Sequence, residues 1–285
     1  FFELRGQQMP FTNIQMIVMD MDDTLLGADH QISPENKLAI EQAQAAGIII
    51  VLASGRPTPA MAPFADQLNL NNGGFVISYN GAYVTDWSNQ QVLFDTCLTK
   101  YEHDMLVDAA HAHQSNLHTY VDGDIVTDAL NPYTDIEAEL TNMPIRCVAD
   151  LKEAVQGSVP KVLMVAAPEK VKAMSEELKT SLGGRFTISI SKPFFLEFTN
   201  QQVDKSAGIS VLCSKLGIEK AHVMAIGDSY NDLTMIRDCG VGVAMGNAPD
   251  DIKAIADIET LSNAEHGVAA IIQRVLRSQQ VAEQA

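Results

Sequence analysis

Apolar residues in this chain gather into short blocks that end in polar or glycine-containing turns. Residues 14–19 form one block ending at Asp20, residues 48–52 another ending at Ser54-Gly55, and residues 75–78 a third ending at Asn80-Gly81. Continuous apolar blocks this short suit strands buried on both faces of a parallel sheet. Between the first two, residues 34–46 repeat apolar positions at helical spacing, opened by Pro34 and closed by Gly47. The order predicted up to residue 80 is β-α-β-α-β. The same texture returns late in the chain. Residues 223–226 end in Gly227-Asp228, a helix is predicted from 231 to about 238, and a strand at 241–244 precedes a helix opened by Pro249.

The middle of the chain reads differently. Residues 101–113 are helical in pattern, residues 117–121 and 125–127 form a hairpin around Asp122-Gly123, residues 161–165 make a strand and residues 169–182 a helix. This predicts an α+β unit inserted into an α/β core, a Rossmann-like doubly wound parallel sheet. The expected boundaries divide the chain into a core of residues 9–82 and 194–285 and an insert of residues 83–193. Residues 1–8 lack a starting Met and a long apolar run, so they are expected to be a leader outside the fold, not a signal peptide. The stripe Val268, Ile271, Ile272, Val275 and Leu276 has helical spacing and is expected to be core or interface.

Composition narrows the partners. With 46% hydrophobic residues in 285, the chain can bury a sizeable core. Its 19 Lys and Arg stand against 36 Asp and Glu, a net charge of −17 that repels nucleic acid and anionic membrane surfaces. A phosphate-bearing partner would need a local cation or a metal. The longest apolar stretch, residues 47–53, is far shorter than the ~20 residues of a membrane-spanning helix. Cys97, Cys147, Cys213 and Cys239 form neither a CxxC pair nor a disulfide framework, which predicts a reducing cytoplasm. No nucleic-acid partner and no membrane partner is expected.

The strongest local signal is Asp20-Met21-Asp22-Asp23-Thr24-Leu25-Leu26, three carboxylates crowded at the end of a buried strand. Crowded charge of one sign calls for a neutraliser, and Mg²⁺ is the common divalent cation that takes oxygen ligands. A second acidic group, Gly227-Asp228-Ser229-Tyr230-Asn231-Asp232, ends a later strand. In an open parallel sheet the two would meet where the strand order reverses, the crevice in which ligands bind. Asp232 alone reads equally as a first-turn helix acid. Ser54 in Ser54-Gly55-Arg56 offers a hydroxyl and nearby amides to an anion, and Lys205 precedes a helix. Carboxylates, a hydroxyl and a lysine at successive strand ends describe metal-assisted phosphoryl transfer.

These motifs resemble the haloacid dehalogenase superfamily, specifically phosphatases of the Cof type with a large inserted cap. Residues 20–26 match its DxDGTLL motif with Asp23 in the usual Gly position, Ser54 its Thr/Ser motif, Lys205 its lysine, and residues 227–232 its GDxxND motif in full. The stretches Tyr79-Asn80-Gly81-Ala82 and residues 243–248 share the likeness. Ser206 stands where Gly is frequent. The resemblance implies that Asp20 attacks phosphorus to form an aspartyl-phosphate, and that Asp22 is the general acid and then base, protonated at the outset with help from neighbouring carboxylates and desolvation. It implies Mg²⁺ held by Asp20, Asp228 and the backbone carbonyl of Asp22, with Asp232 supporting, and phosphoryl oxygens bound by Ser54, Lys205 and Asn231. The partner it implies is a small phosphorylated metabolite, for a monomer or small homo-oligomer. Candidate contacts to the leaving group are Arg56, Asn80, Asn247, His118 and Tyr120, of which Arg56 and Asn247 read at least equally as structural residues and His118 and Tyr120 more readily as ordinary strand residues. Two other classes fit parts of this pattern: a phosphosugar mutase or phosphotransferase, and a receiver-like module phosphorylated on Asp.

Overall fold

The computed structural model describes residue 11 and residues 13–283, so the predicted leader and the boundary at residue 9 lie outside the described residues. Among the described residues, fourteen strands form two sheets. In chain order the first five are β1 (Met16–Met19), β2 (Ile49–Ala53), β3 (Phe75–Ser78), β4 (Tyr83–Asp86) and β5 (Gln91–Asp95). Six follow: β6 (Asn116–Val121), β7 (Asp124–Thr127), β8 (Ile145–Cys147), β9 (Val162–Val165), β10 (Phe186–Lys192) and β11 (Phe195–Asn200). The last three are β12 (Val223–Gly227), β13 (Val241–Ala244) and β14 (Ile258–Glu259).

The larger sheet has the order β14-β13-β12-β1-β2-β3-β4-β5. From β14 to β3 every pairing is parallel, and β4 and β5 extend that edge antiparallel. This is the doubly wound α/β core, with the order reversing between β1 and β12. Strand β1 explains why the sequence block is continuous: Ile17 and Met19 join one apolar cluster with helices Pro34–Ala45 and Gly267–Glu283, while Met16 and Val18 join another with helix Lys205–Leu216. Alternation along a strand sends successive side chains to opposite faces, so a strand covered on both must be apolar throughout.

The smaller sheet, β10-β11-β9-β6-β7-β8, is built from the middle of the chain. Helices Lys100–Ala112 and Pro168–Leu182 pack on one of its faces through Leu106, Val107, Val171 and Leu178. Sheet membership moves both expected boundaries. Strands β4 and β5 belong to the larger sheet, so the first part of the core runs past residue 82 to Asp95. Strand β11 belongs to the smaller one, so the insert runs past residue 194 to Asn200. The cause is a hairpin: Tyr79, Asn80 and Gly81 have φ of 50°, 58° and 111°, and this left-handed turn folds β4 back onto β3.

Buried Asn36 fastens the elements around the end of β1. Its amide donates to the carbonyl of Leu25 at 3.1 Å, and its own oxygen accepts from the N–H of Ala269 at 3.0 Å. The stripe read from the C-terminal pattern is core: Val268, Ile271, Ile272 and Val275 are fully buried in the cluster that contains Ile17 and Met19. Ile271→Ala should cost about 2–5 kcal/mol through lost burial and a residual cavity. Urea unfolding should show a lower midpoint with little change in slope.

Candidate active site

The C-terminal ends of β1, β2 and β12 carry the predicted groups. Asp20 follows β1 and its N–H donates to Ile226 on β12 at 2.9 Å; Ser54 follows β2 and Asp228 follows β12. The chain then turns through Met21–Leu25, where Asp23 takes φ 59° and ψ 5°. That left-handed conformation is where Gly is usual, and Asp is among the residues that tolerate it. The turn aims Thr24, fully buried, so that its hydroxyl donates to Asp228 Oδ1 at 2.7 Å.

Carboxylate oxygens of Asp20, Asp228 and Asp232 lie within 4.8 Å of one another. Two glycines permit this convergence. A Cβ on Gly227 would lie 2.5 Å from Asp232 Cβ, so only glycine lets the Asp232 side chain fold back, and its Oδ2 then accepts the N–H groups of Asp228 and Ser229 at 3.0 and 3.1 Å. A Cβ on Gly81 would lie 2.3 Å from the carbonyl oxygen of Asp204, so glycine lets the chain before Lys205 press against the β3–β4 turn. Asp204 caps helix Lys205–Leu216 by accepting from the N–H groups of Ser206 and Ala207. The fully buried Lys205 then donates to Asp20 Oδ1 at 2.5 Å and Asp232 Oδ1 at 2.6 Å. Ser206 leaves the helix regular, and its hydroxyl donates to Asp238.

The electrostatics follow from burial and crowding. Burial and the charge of Asp232 raise Asp20 well above the usual carboxylate range despite Lys205. Burial, with the charges of Asp232 and Asp23, pushes Asp228 up to about 6 against the hydrogen bond from Thr24. Burial works against the charge on Lys205, but Asp20 and Asp232 outweigh it and raise its pKa. Three carboxylates around one ammonium leave an excess of two negative charges when all are ionised, and a divalent cation matches that excess with oxygen donors of the type Mg²⁺ takes.

Asp22 is expected to offer a metal only its backbone carbonyl, and its side chain lies outside the acidic trio; Asp232 belongs to that trio. Asp22 instead makes a bidentate ion pair with Arg56, Nη2 to Oδ1 at 2.6 Å and Nε to Oδ2 at 2.8 Å. Burial pushes the Asp22 carboxyl up, yet the hydrogen bonds and charge of Arg56 outweigh it and hold it below the usual range. While it lasts, the pair favours the ionised form of Asp22. The other named residues spread out. Ser54 is buried, its hydroxyl accepting from the N–H of Arg56 at 3.1 Å. Asn231 Nδ2 donates to Asn80 Oδ1 at 3.1 Å, joining two strand ends. Asn247 spends its side chain on structure, donating to the carbonyl of Asp23 and accepting from the N–H of Asn263. His118 and Tyr120 lie buried on the smaller sheet: His118 meets Thr134, and the Tyr120 hydroxyl donates to Glu137 at 2.5 Å.

The sequence model of haloacid dehalogenase-like hydrolases matches residues 17–272. The chain belongs to that family. A haloacid dehalogenase-like hydrolase from Bacteroides thetaiotaomicron has a crystal structure with a TM-score of 0.87 at 39% identity, covering 92% of this chain and 99% of that one. YxeH of Bacillus subtilis is 33% identical over 267 residues, 92% of this chain and 98% of its own. The 5-amino-6-(5-phospho-D-ribitylamino)uracil phosphatase YcsE of the same organism is 30% identical over 272 residues, 92% of this chain and 95% of its own. The chain is thus a hydrolase of a family whose named relatives include phosphatases. No helix among the described residues is long and apolar enough to cross a membrane.

The folded state holds a proton on Asp228 more readily than the unfolded chain, whose pKa is the ordinary 3.8, so without a cation its stability contribution falls as pH rises through about 6. With EDTA, the urea midpoint should drop between about pH 4 and about pH 6 and then level off, and Mg²⁺ should restore it. Asp228→Asn should show a smaller drop and a smaller Mg²⁺ response.

Proposed function

We propose that the protein is a Mg²⁺-dependent phosphatase that hydrolyses small phosphorylated metabolites through an aspartyl-phosphate. One observation carries this reading: Asp20, Asp228 and Asp232 converge around Lys205 where the strand order reverses. Asp20, Asp228 and Asp232, with the backbone carbonyl of Asp22, would hold the cation. Bound there, Mg²⁺ would supply positive charge against the transferring phosphoryl group. The larger sheet with its helices is the catalytic unit in this reading, and the smaller sheet is the cap that bears on the leaving group. The free thiols of all four cysteines support a cytoplasmic setting.

A carboxylate oxygen of Asp20 attacks phosphorus in line, forming a phosphorus–oxygen bond as the bond to the alkoxy oxygen breaks. Ser54, Asn231 and Lys205 bind phosphoryl oxygens, and Lys205 offsets the charge that Asp20 shares with the transferred group. Asp22 gives a proton to the departing oxygen. It is ionised while paired with Arg56, so it takes up that proton from bulk water as the substrate enters. A dianionic phosphoryl group beside Asp22 raises its proton affinity, and release from Arg56 completes the change. Asp22 then removes a proton from water, whose oxygen attacks phosphorus, freeing phosphate and restoring Asp20.

Asp20→Asn should abolish Mg²⁺-dependent phosphate release from p-nitrophenyl phosphate, because the nucleophile is lost; full activity in this variant overturns the assignment. Asp22→Asn should still release a stoichiometric burst of p-nitrophenol, a leaving group that needs no acid, while steady turnover falls by about 10²–10⁴. Rapid-mixing absorbance measurements separate the two phases.

A further inference from the structure

The smaller sheet turns a charged pair toward the larger one. Lys161 and Glu197 are each 6% exposed and form an ion pair with Nζ and Oε2 3.1 Å apart. Register places them together: Glu197 on β11 pairs with Leu163 on β9, two residues beyond Lys161 on the same face. Leu163 pairs on its other side with His118, which brings His118 and Tyr120 of β6 to that face. Lys161 Nζ also lies 3.4 Å from the carbonyl oxygen of Gly55, between Ser54 and Arg56, and 5.5 and 6.0 Å from the rings of Tyr120 and Tyr79.

This pair has hydrogen-bonding capacity to spare. An ammonium has three donors. One goes to Glu197, a second reaches Gly55 at the long end of the hydrogen-bonding range, and no third acceptor meets it among the described residues. The other oxygen of Glu197 likewise accepts no hydrogen bond among the described residues. That spare donor and acceptor capacity, at the seam between the two sheets, is open to a bound group. The group that accepts from an ammonium and donates to an adjacent carboxylate at once is a neutral hydroxyl. A second anionic group would meet Glu197 and, behind it, Glu137, whose charge acts on the same lysine and tyrosine.

Resting on the phosphatase reading above, we propose that Lys161 and Glu197 determine specificity, selecting phosphate monoesters whose leaving group is neutral and hydroxyl-bearing and rejecting those that carry a second anionic group. The measurement is kcat/KM with Mg²⁺ for p-nitrophenyl phosphate, for glucose 6-phosphate, ribose 5-phosphate and fructose 6-phosphate, and for fructose 1,6-bisphosphate. Lys161→Gln and Glu197→Gln should each lower kcat/KM for the best of the three sugar monophosphates at least tenfold more than for p-nitrophenyl phosphate, mainly through KM. The unaltered protein should prefer fructose 6-phosphate over the bisphosphate at least tenfold. Equal losses on both kinds of ester would mean that Lys161 only positions the Ser54–Arg56 turn, and would overturn the proposal. Preference for the bisphosphate overturns it too, and needs no variant to fold. Absence of phosphate release from every ester defeats the phosphatase reading itself; release without these discriminations defeats only the present proposal.

Discussion

Three carboxylates held against one buried ammonium are the constraint around which this fold is arranged. Ionising all of them leaves an excess of two negative charges in a region where Lys205 is fully buried and Asp20 nearly so. Burying such a group is costly, and removing one member of a buried pair commonly costs about 3–5 kcal/mol. The surrounding chain is specialised to tolerate it. Thr24 donates to Asp228, backbone amides of Asp228 and Ser229 donate to Asp232, and two glycines remove the Cβ atoms that would hold Asp232 and Asp204 away. Like charge gathered at the cost of stability marks a centre built for a ligand.

The seam between the two sheets carries a second polarity. Tyr79 of the β3–β4 turn meets Tyr120 of the smaller sheet edge to face, with ring centroids 5.4 Å apart. Its neighbours Ala82, Phe195 and Leu163 make that contact apolar, and Lys161 and Glu197 lie within it. The end of the crevice at Asp20, Asp228 and Asp232 is thus governed by net negative charge, and the seam with the smaller sheet by aromatic surface with a neutralised pair.

Much of this was legible before the fold was known because it depends on local pattern. Blocks covered on both faces must be apolar throughout, so β1, β2, β3 and β12 stand out, and the acidic groups sit directly after them. Strands β4 and β5 were missed because β5 is an edge strand with exposed positions such as Gln91 and Val92, and β4, four residues between it and β3, is buried in the middle and half-buried at both ends, so neither shows the alternation that marks a half-buried strand. Strand β11 is buried at five of its six positions, the polar Glu197 and Thr199 among them, and no local pattern says which sheet it joins. Pairings between distant residues escaped for the same reason: nothing near Asp22 announces Arg56, 34 positions away, and nothing near Lys161 announces Glu197, 36 away. For Asn247 the sequence leaves a leaving-group contact and a structural role both open, because its amide bonds to Asp23 and Asn263 join residues far apart in the chain.

The position of β1 between β2 and β12 also governs the order in which the molecule can assemble. Its first neighbour is available once residue 53 has been made, but the other begins at Val223. A nascent chain leaving the ribosome therefore carries its central strand with one open edge, and Asp20 without its lysine, for more than half of synthesis. Pairing across such a separation is slow, and open apolar edges invite association. All six strands of the smaller sheet, which ends at Asn200, leave the ribosome during that interval, before residues 223–259 complete the larger one.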